Sequence, residues 1–218
     1  MAVIHDTTMT PGKLELLAAW LPAQPWYAGT GREPELAKAG GFRLDDPAGE
    51  VGIEFMVVTD TSGERPVAYQ VPLSYRGAPL DGGSAALIGT SEHGVLGRRW
   101  VYDGAHDPVL VAQLLALVQG RAEAQHQSRS GAPEPSVSTH YAGADHPAMA
   151  AITSVGNRPD GTDIVVATET GASLAIAVSR VLRPMRDEDG AEGRVTAVWR
   201  PPGGSEVRGP FAVLRTSG

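Results

Sequence analysis

The densest set of reactive side chains lies in "GRRWVYDGAHDP", residues 97–108. Arg98, Arg99, Trp100, Tyr102, Asp103 and His106 could build a ligand site there, with the two arginines as phosphate ligands. The same residues also read as local structure. In a strand, Arg99, Val101 and Asp103 point one way and Trp100 and Tyr102 the other. Trp100 and Tyr102 then pack on a helix, Asp103-Gly104 turns the chain, and Asp107-Pro108 opens that helix. The structural reading is the stronger one, so the run reports fold more than chemistry.

A second run, "WYAGTGR" (residues 26–32), has the glycines of a phosphate loop. It lacks the lysine of that motif and does not lead from a strand into a helix. It reads as a turn anchored by Trp26 and Tyr27, with Arg32 as an ion-pair partner. The candidate binding residues are therefore Trp26, Arg32, Arg98, Arg99, Trp100 and His106, with no catalytic residue assigned. The histidines, His5, His93, His106, His126, His140 and His146, form no H-x-x-x-H or H-E-x-x-H pair, and no metal ligand is assigned. Glu92 and His93 would face opposite sides of a strand. Ser84, Ser91 and Ser154 lack a nucleophile elbow. "RDEDG" (186–190) alternates acids without the rest of a calcium loop and reads as a solvated hairpin turn.

Elements to position these residues are readable in the pattern. A helix is expected at about 11–21, with Thr10 as cap, Pro11 in the first position and Leu14, Leu17 and Leu21 as its stripe. "GIEFMVVTD" and "RPVAYQVPLSYRG" alternate as strands. Pro72 argues for an edge position or a bulge in the second. "AALIGTSEHG" and "RRWVYDG" are shorter strands, and antiparallel hairpins connect such runs most simply. A second helix runs from Asp107-Pro108 through Leu110, Val111, Leu114, Leu115, Leu117 and Val118 to Gly120. Residues 121–148 turn polar and read as a helix tail and linker. From about 149, "DIVVATET", "ASLAIAVSRVL", "RVTAVWR" and "PFAVLRT" are strands.

The 218 residues suit one large domain or two small ones. A net charge of −7 without a basic block argues against nucleic acid as a partner. There is no cysteine, no signal-peptide pattern and no membrane-length apolar run, so a cytoplasmic protein without membrane contact is expected.

"LPAQPWYAGTGRE" (21–33) and "LIGTSEHGVLGRRWVYDGAHDPVLVAQLLALV" (87–118) occur in the order and at the spacing of a known pattern. Over about residues 10–120 the chain resembles the N-terminal cap domain of maltokinases and related actinobacterial sugar kinases. Pro25 and Thr30 stand where that family usually has arginine and lysine. The resemblance implies an α+β fold, a curled antiparallel sheet packed by helices, followed by a second β-rich antiparallel segment. The expected organisation is a cap-like domain at 1–125, a linker at 126–148 and a β-rich segment at 149–218, a reduced kinase N-lobe-like subdomain by the same resemblance.

"SLAIAVSRVLRPM" (173–185) is similar in rhythm to the kinase strand whose lysine holds the ATP phosphates; aligned on the arginine and proline, Ala177 falls at that lysine's position. The only lysines are Lys13 and Lys38, so the C-terminal half supplies none, and the 218 residues leave no room for a kinase C-lobe with its metal-binding acids. The expected function is a non-catalytic binding or regulatory module, without cofactor, beside maltose, trehalose or glycogen metabolism. It would engage a protein partner or self-associate through exposed strand edges. One alternative is part of a split or degenerate ATP-dependent sugar kinase of maltokinase or glucosamine kinase type. Another is a small-molecule binder with a pocket near Trp26 and Trp100.

Overall fold

The computed structural model describes residues 8–29, 31–185 and 191–216. Strand β1 (Met9–Thr10) precedes helix α1 (Lys13–Trp20). The helix starts two residues later than the sequence pattern indicates, because Thr10 is paired in β1 and the N–H of Gly12 is taken by Glu15 Oε2 at 2.6 Å. It tightens into a 3-10 turn at Leu21–Ala23, where Pro22 stops it. Strands β2 (Leu36–Leu44), β3 (Gly52–Asp60), β4 (Val67–Arg76), β5 (Leu87–His93) and β6 (Gly97–Asp103) follow.

Helix α2 (Pro108–Val118) is capped by Asp107, whose Oδ1 accepts from Val109 N at 3.0 Å. It is released at Gly120, which adopts φ +71. Then come β7 (Ser138–Tyr141), β8 (Met149–Arg158), β9 (Gly161–Thr168), β10 (Ser173–Ser179), β11 (Gly193–Trp199) and β12 (Val207–Thr216).

The twelve strands among the described residues form one antiparallel sheet in the order β1-β5-β6-β4-β3-β2-β11-β12-β10-β9-β8, with β7 on β11. The seam between β2 and β11 is narrow, a single pair of Gly40 with Trp199, backed by Arg200 N donating to Ala39 O at 2.7 Å. The sheet then curls back. Beyond β10, Val181 bridges Tyr69, Gln70 N donates to Arg180 O at 2.9 Å and Leu182 N to Ala68 O at 2.8 Å. The chain after β10 thus lies along the outer flank of β4.

This corrects the expected α+β class. The fold is β-rich, and the two α-helices among the described residues span only 8 and 11 residues. The reason lies in the apolar alternation of the later strands. Ile164, Val166, Ile176, Val178, Phe211 and Leu214 fill the same enclosed interior as Phe42, Ile53 and Phe55. Helix α2, buried along most of its length, fills part of that interior instead of forming a layer over an independent sheet. Strand β3 is buried on both faces: Ile53, Phe55 and Val57 point into this core, while Met56 and Val58 join Leu17, Leu21, Trp26 and Tyr69 under α1.

Pro72 is a second correction, since β4 is an interior strand and Pro72 pairs with Phe55 in register. Its missing N–H is accommodated by a gap. Ala68 O and Gln70 N face the outer flank, so by two-residue alternation the Pro72 nitrogen does too. On that flank β6 pairs only from Leu73 onward, and the bridge at Tyr69 is isolated. Thr30, His5 and the "RDEDG" run lie outside the described residues.

Candidate functional site

Three polar centres organise the first half of the chain. The first fills the gap beside Pro72. Arg180, fully buried, donates from Nη2 to Asp103 at 2.7 Å from each carboxylate oxygen, and from Nε to Thr162 Oγ1 at 2.8 Å. Its guanidinium carbon sits 5.0 Å from the ring centroid of Trp26, a cation–π contact in a desolvated setting. Trp26 is buried between Trp20 and Tyr69, with ring centroids at 5.7 and 6.0 Å.

The second centre is Glu54, a buried carboxylate in β3. Lys13 Nζ reaches Oε2 at 2.5 Å, the Tyr75 hydroxyl donates to the same oxygen at 2.7 Å, and Gln127 Nε2 donates to Oε1 at 2.9 Å. Burial pushes the Glu54 carboxyl up. The charge and hydrogen bond of Lys13, the Tyr75 hydrogen bond and the charge of Lys38 outweigh it and hold the group below the usual glutamate range. Lys38 is exposed, yet desolvation of its ammonium, aided by repulsion from Lys13, brings it below the ordinary lysine value against the pull of Glu54. Both lysines of the chain therefore gather around one carboxylate.

The third centre anchors the "WYAGTGR" turn, and a separate ion pair holds the entry to α2. The Tyr27 hydroxyl donates to Asp60 Oδ2 at 2.6 Å, while Asp60 Oδ1 accepts from the N–H groups of Glu35 and Ser62. Burial, then the Asp60 hydrogen bond and charge, push the Tyr27 hydroxyl well above its ordinary value. At the other end Arg76 grips the cap residue Asp107 through two bonds of 2.6 Å.

The six candidate residues do not form one site. Trp26 is a buried anchor. Arg32, exposed on the surface, donates to Ser62 O at 3.4 Å. Arg98 pairs with Glu92 at 2.8 Å and Arg99 donates to Leu96 O at 2.6 Å, both within the β5–β6 hairpin. Trp100 is half-buried opposite Arg76 and Thr90, and His106 is exposed in the 3-10 turn Gly104–His106 before α2. "GRRWVYDGAHDP" is thus a strand, a short turn and a helix cap. Sequence reading gave no weight to Glu54 or Arg180. The signal for Glu54 was a single acid in an otherwise apolar strand core; Arg180 carried none.

Residues 20–107 match the family model of the maltokinase N-terminal cap domain. Over that span the protein is maltokinase-cap-like. The cap-like stretch contains Trp26, Glu54 and Asp103 and ends on the helix cap Asp107. Lys13, Gln127 and Arg180, which reach Glu54, Asp103 and Trp26, all lie outside the matched span, whereas Asp60 and Asp107 are held by residues within it.

The cap-like stretch also borders a groove of about 290 Å³ at the β2–β11 seam. Gly40, Gly41, His126, Gln127, Glu134 and Arg200 help line it. Among the described residues no cluster of three or more His, Asp or Glu has metal-ligand geometry, and no helix is long and apolar enough to cross a membrane.

Proposed function

We propose that this protein is a non-catalytic, maltokinase-cap-like binding or regulatory module acting in the cytoplasm beside enzymes of maltose, trehalose or glycogen metabolism. In this reading, residues 1–125 form the cap-like part, 126–148 the connection and 149–218 a β-rich complement to the cap. One observation carries it. Arg180, one of the two arginines in the segment 173–185 that the resemblance aligns with the ATP-binding strand of the kinases, is fully buried and held by Asp103, Thr162 and Trp26. A guanidinium enclosed this way completes the cap and is withdrawn from any nucleotide. Lys13, ion-paired with Glu54, is engaged within the cap-like part as well.

The test is ADP release by the purified protein with Mg-ATP and a panel of maltose, glucose and glucosamine, together with affinity capture of the tagged protein mixed with purified enzymes of that metabolism. The expected result is no turnover above the blank and retention of one specific enzyme. Sugar-dependent turnover, or failure to retain any of them, overturns the reading.

A further inference from the structure

Strand β2 passes from one neighbour to another along its outer flank. At Gly40 it pairs with Trp199 of β11, and Ala39 O accepts from Arg200 N at 2.7 Å. Further along, Arg43 exchanges backbone bonds of 2.9 and 2.8 Å with Gln125. Between these contacts β11 and the segment after Gln125 diverge, and the groove of about 290 Å³ opens in the fork. Its walls are held in place. His126 N donates to Ala132 O at 2.7 Å and Glu134 N to Ala124 O at 2.8 Å, which closes the 124–134 loop on itself. On the other side Trp199 is buried against Phe211, with ring centroids at 6.3 Å. The site is therefore preformed.

The bonds already made dictate which atoms the groove presents. Pairing of β2 with β3 is regular from Gly40 to Leu44, and Arg43 bonds outward to Gln125. By two-residue alternation the Gly41 carbonyl faces the fork as well. Gln127 donates Nε2 to the Glu54 carboxylate, which can only accept, so its Oε1 is left as an acceptor. Glu134 Oε1 accepts from Ser136 N at 3.1 Å and leaves Oε2. His126 Nδ1 accepts from Ser128 N at 3.0 Å, so its proton sits on Nε2, a donor. At the rim Arg200 and Glu206 join through one nitrogen and one oxygen at 2.8 Å, and both stay exposed with N–H and carboxylate groups to spare.

Acceptors and donors thus share one small space, and this mixture selects the ligand's chemistry. A phosphate or carboxylate only accepts. It would leave the Gly41 carbonyl and Gln127 Oε1 unmatched and would meet two glutamates against one arginine. An ammonium only donates, and would face the N–H groups of His126 and Arg200. A hydroxyl donates and accepts at once. We infer that the groove binds an uncharged polyhydroxylated molecule of about one or two rings, with neighbouring hydroxyls matched to Gln127, Glu134 and His126. The inference rests on the atoms of the groove alone and does not depend on the proposed enzyme partner.

The isotope-labelled full chain is titrated with glucose and maltose, and with glucosamine and glucose 6-phosphate as cationic and anionic counterparts, while backbone amide signals are followed by NMR. The expected result is saturable shifts at Gly41, Gln127 and Ser136 with at least one neutral sugar below about 10 mM. Both charged counterparts should bind about threefold or more weakly. Two variants locate the site. Ser128→Trp, at an exposed position of the lining, fills the groove. Glu134→Gln keeps an acceptor for Ser136 N and turns the other oxygen into a donor. Each should raise the dissociation constant about threefold or more with an unchanged circular dichroism spectrum. No saturable shift with either neutral sugar up to about 50 mM overturns the inference. So does a charged counterpart that binds as tightly as the neutral sugars, or undiminished binding in either folded variant. Enzyme capture by the same preparations reports separately on the proposed function.

Discussion

Arg180 and Asp103 lie 77 residues apart in the chain and meet at 2.7 Å inside it, Arg180 fully buried and Asp103 nearly so. The pair closes the flank of β4 that β6 leaves uncovered, and it ties the segment after β10 to the cap-like stretch. Removing one member of a buried ion pair strands the other without solvent or partner. Arg180→Met should therefore cost about 3–5 kcal/mol in urea unfolding. The double variant Asp103→Leu/Arg180→Met should be more stable than either single one. If the two single losses simply add, the proposed coupling between these side chains is wrong.

Glu54 makes stability depend on acidity. Its folded-state pKa is depressed, so the stabilisation it confers is complete above the unfolded value of about 4.3 and fades as pH falls through the folded one. Wild type should exceed Glu54→Gln in stability by about 1–3 kcal/mol near neutrality. That difference should shrink in the acid range below about pH 4.3, followed by chemical denaturation at each pH. A difference that stays constant into that range would falsify the assignment.

The two lysines should differ in reactivity. Lys13 is bonded to Glu54 at 2.5 Å, whereas Lys38 is exposed and more often neutral than an ordinary lysine. Limited acetylation followed by peptide mass mapping should modify Lys38 before Lys13. In Glu54→Gln, Lys38 loses the one charge that favours its protonated form and should react faster still. Preferential labelling of Lys13 would contradict this.

A glycine at the seam and one in the β11–β12 turn should be unequal. A Cβ on Gly41, which has φ +124, would lie 2.1 Å from the Phe55 carbonyl oxygen and 2.7 Å from Gln127 Nε2. Gly203, with φ +67, has nothing within 4 Å. Gly41→Ala should cost about 3 kcal/mol or more, and Gly203→Ala about 1 kcal/mol. Equal melting temperatures for the two variants would show that the seam yields more easily than its geometry indicates.

What the sequence disclosed was local. Asp107-Pro108 and Gly120 bracket α2, and "GIEFMVVTD" matches β3, because caps and two-residue alternation are written in adjacent residues. The fold class was misread for a related reason: each run of strands has its own period, but which interior it fills depends on pairings such as Gly40 with Trp199 and Tyr69 with Val181. The polar centres were hidden in the same way. Lys13 stands 41 residues from Glu54, Gln127 stands 73 from it, and no spacing rule links them. Trp26 was singled out for its motif, yet the cation over its ring, Arg180, comes from far along the chain.

The closure of the sheet also sets an order of events during synthesis. Strands β2, β3 and β4 leave the ribosome early, but the apolar face they turn inward is covered by α2 and by residues up to Leu214. Contacts so distant in sequence carry a large loop-closure penalty and form late. Until β11 and β12 emerge, the nascent cap-like stretch carries an apolar surface that a chaperone can grasp, and its final shape waits on those two distant strands.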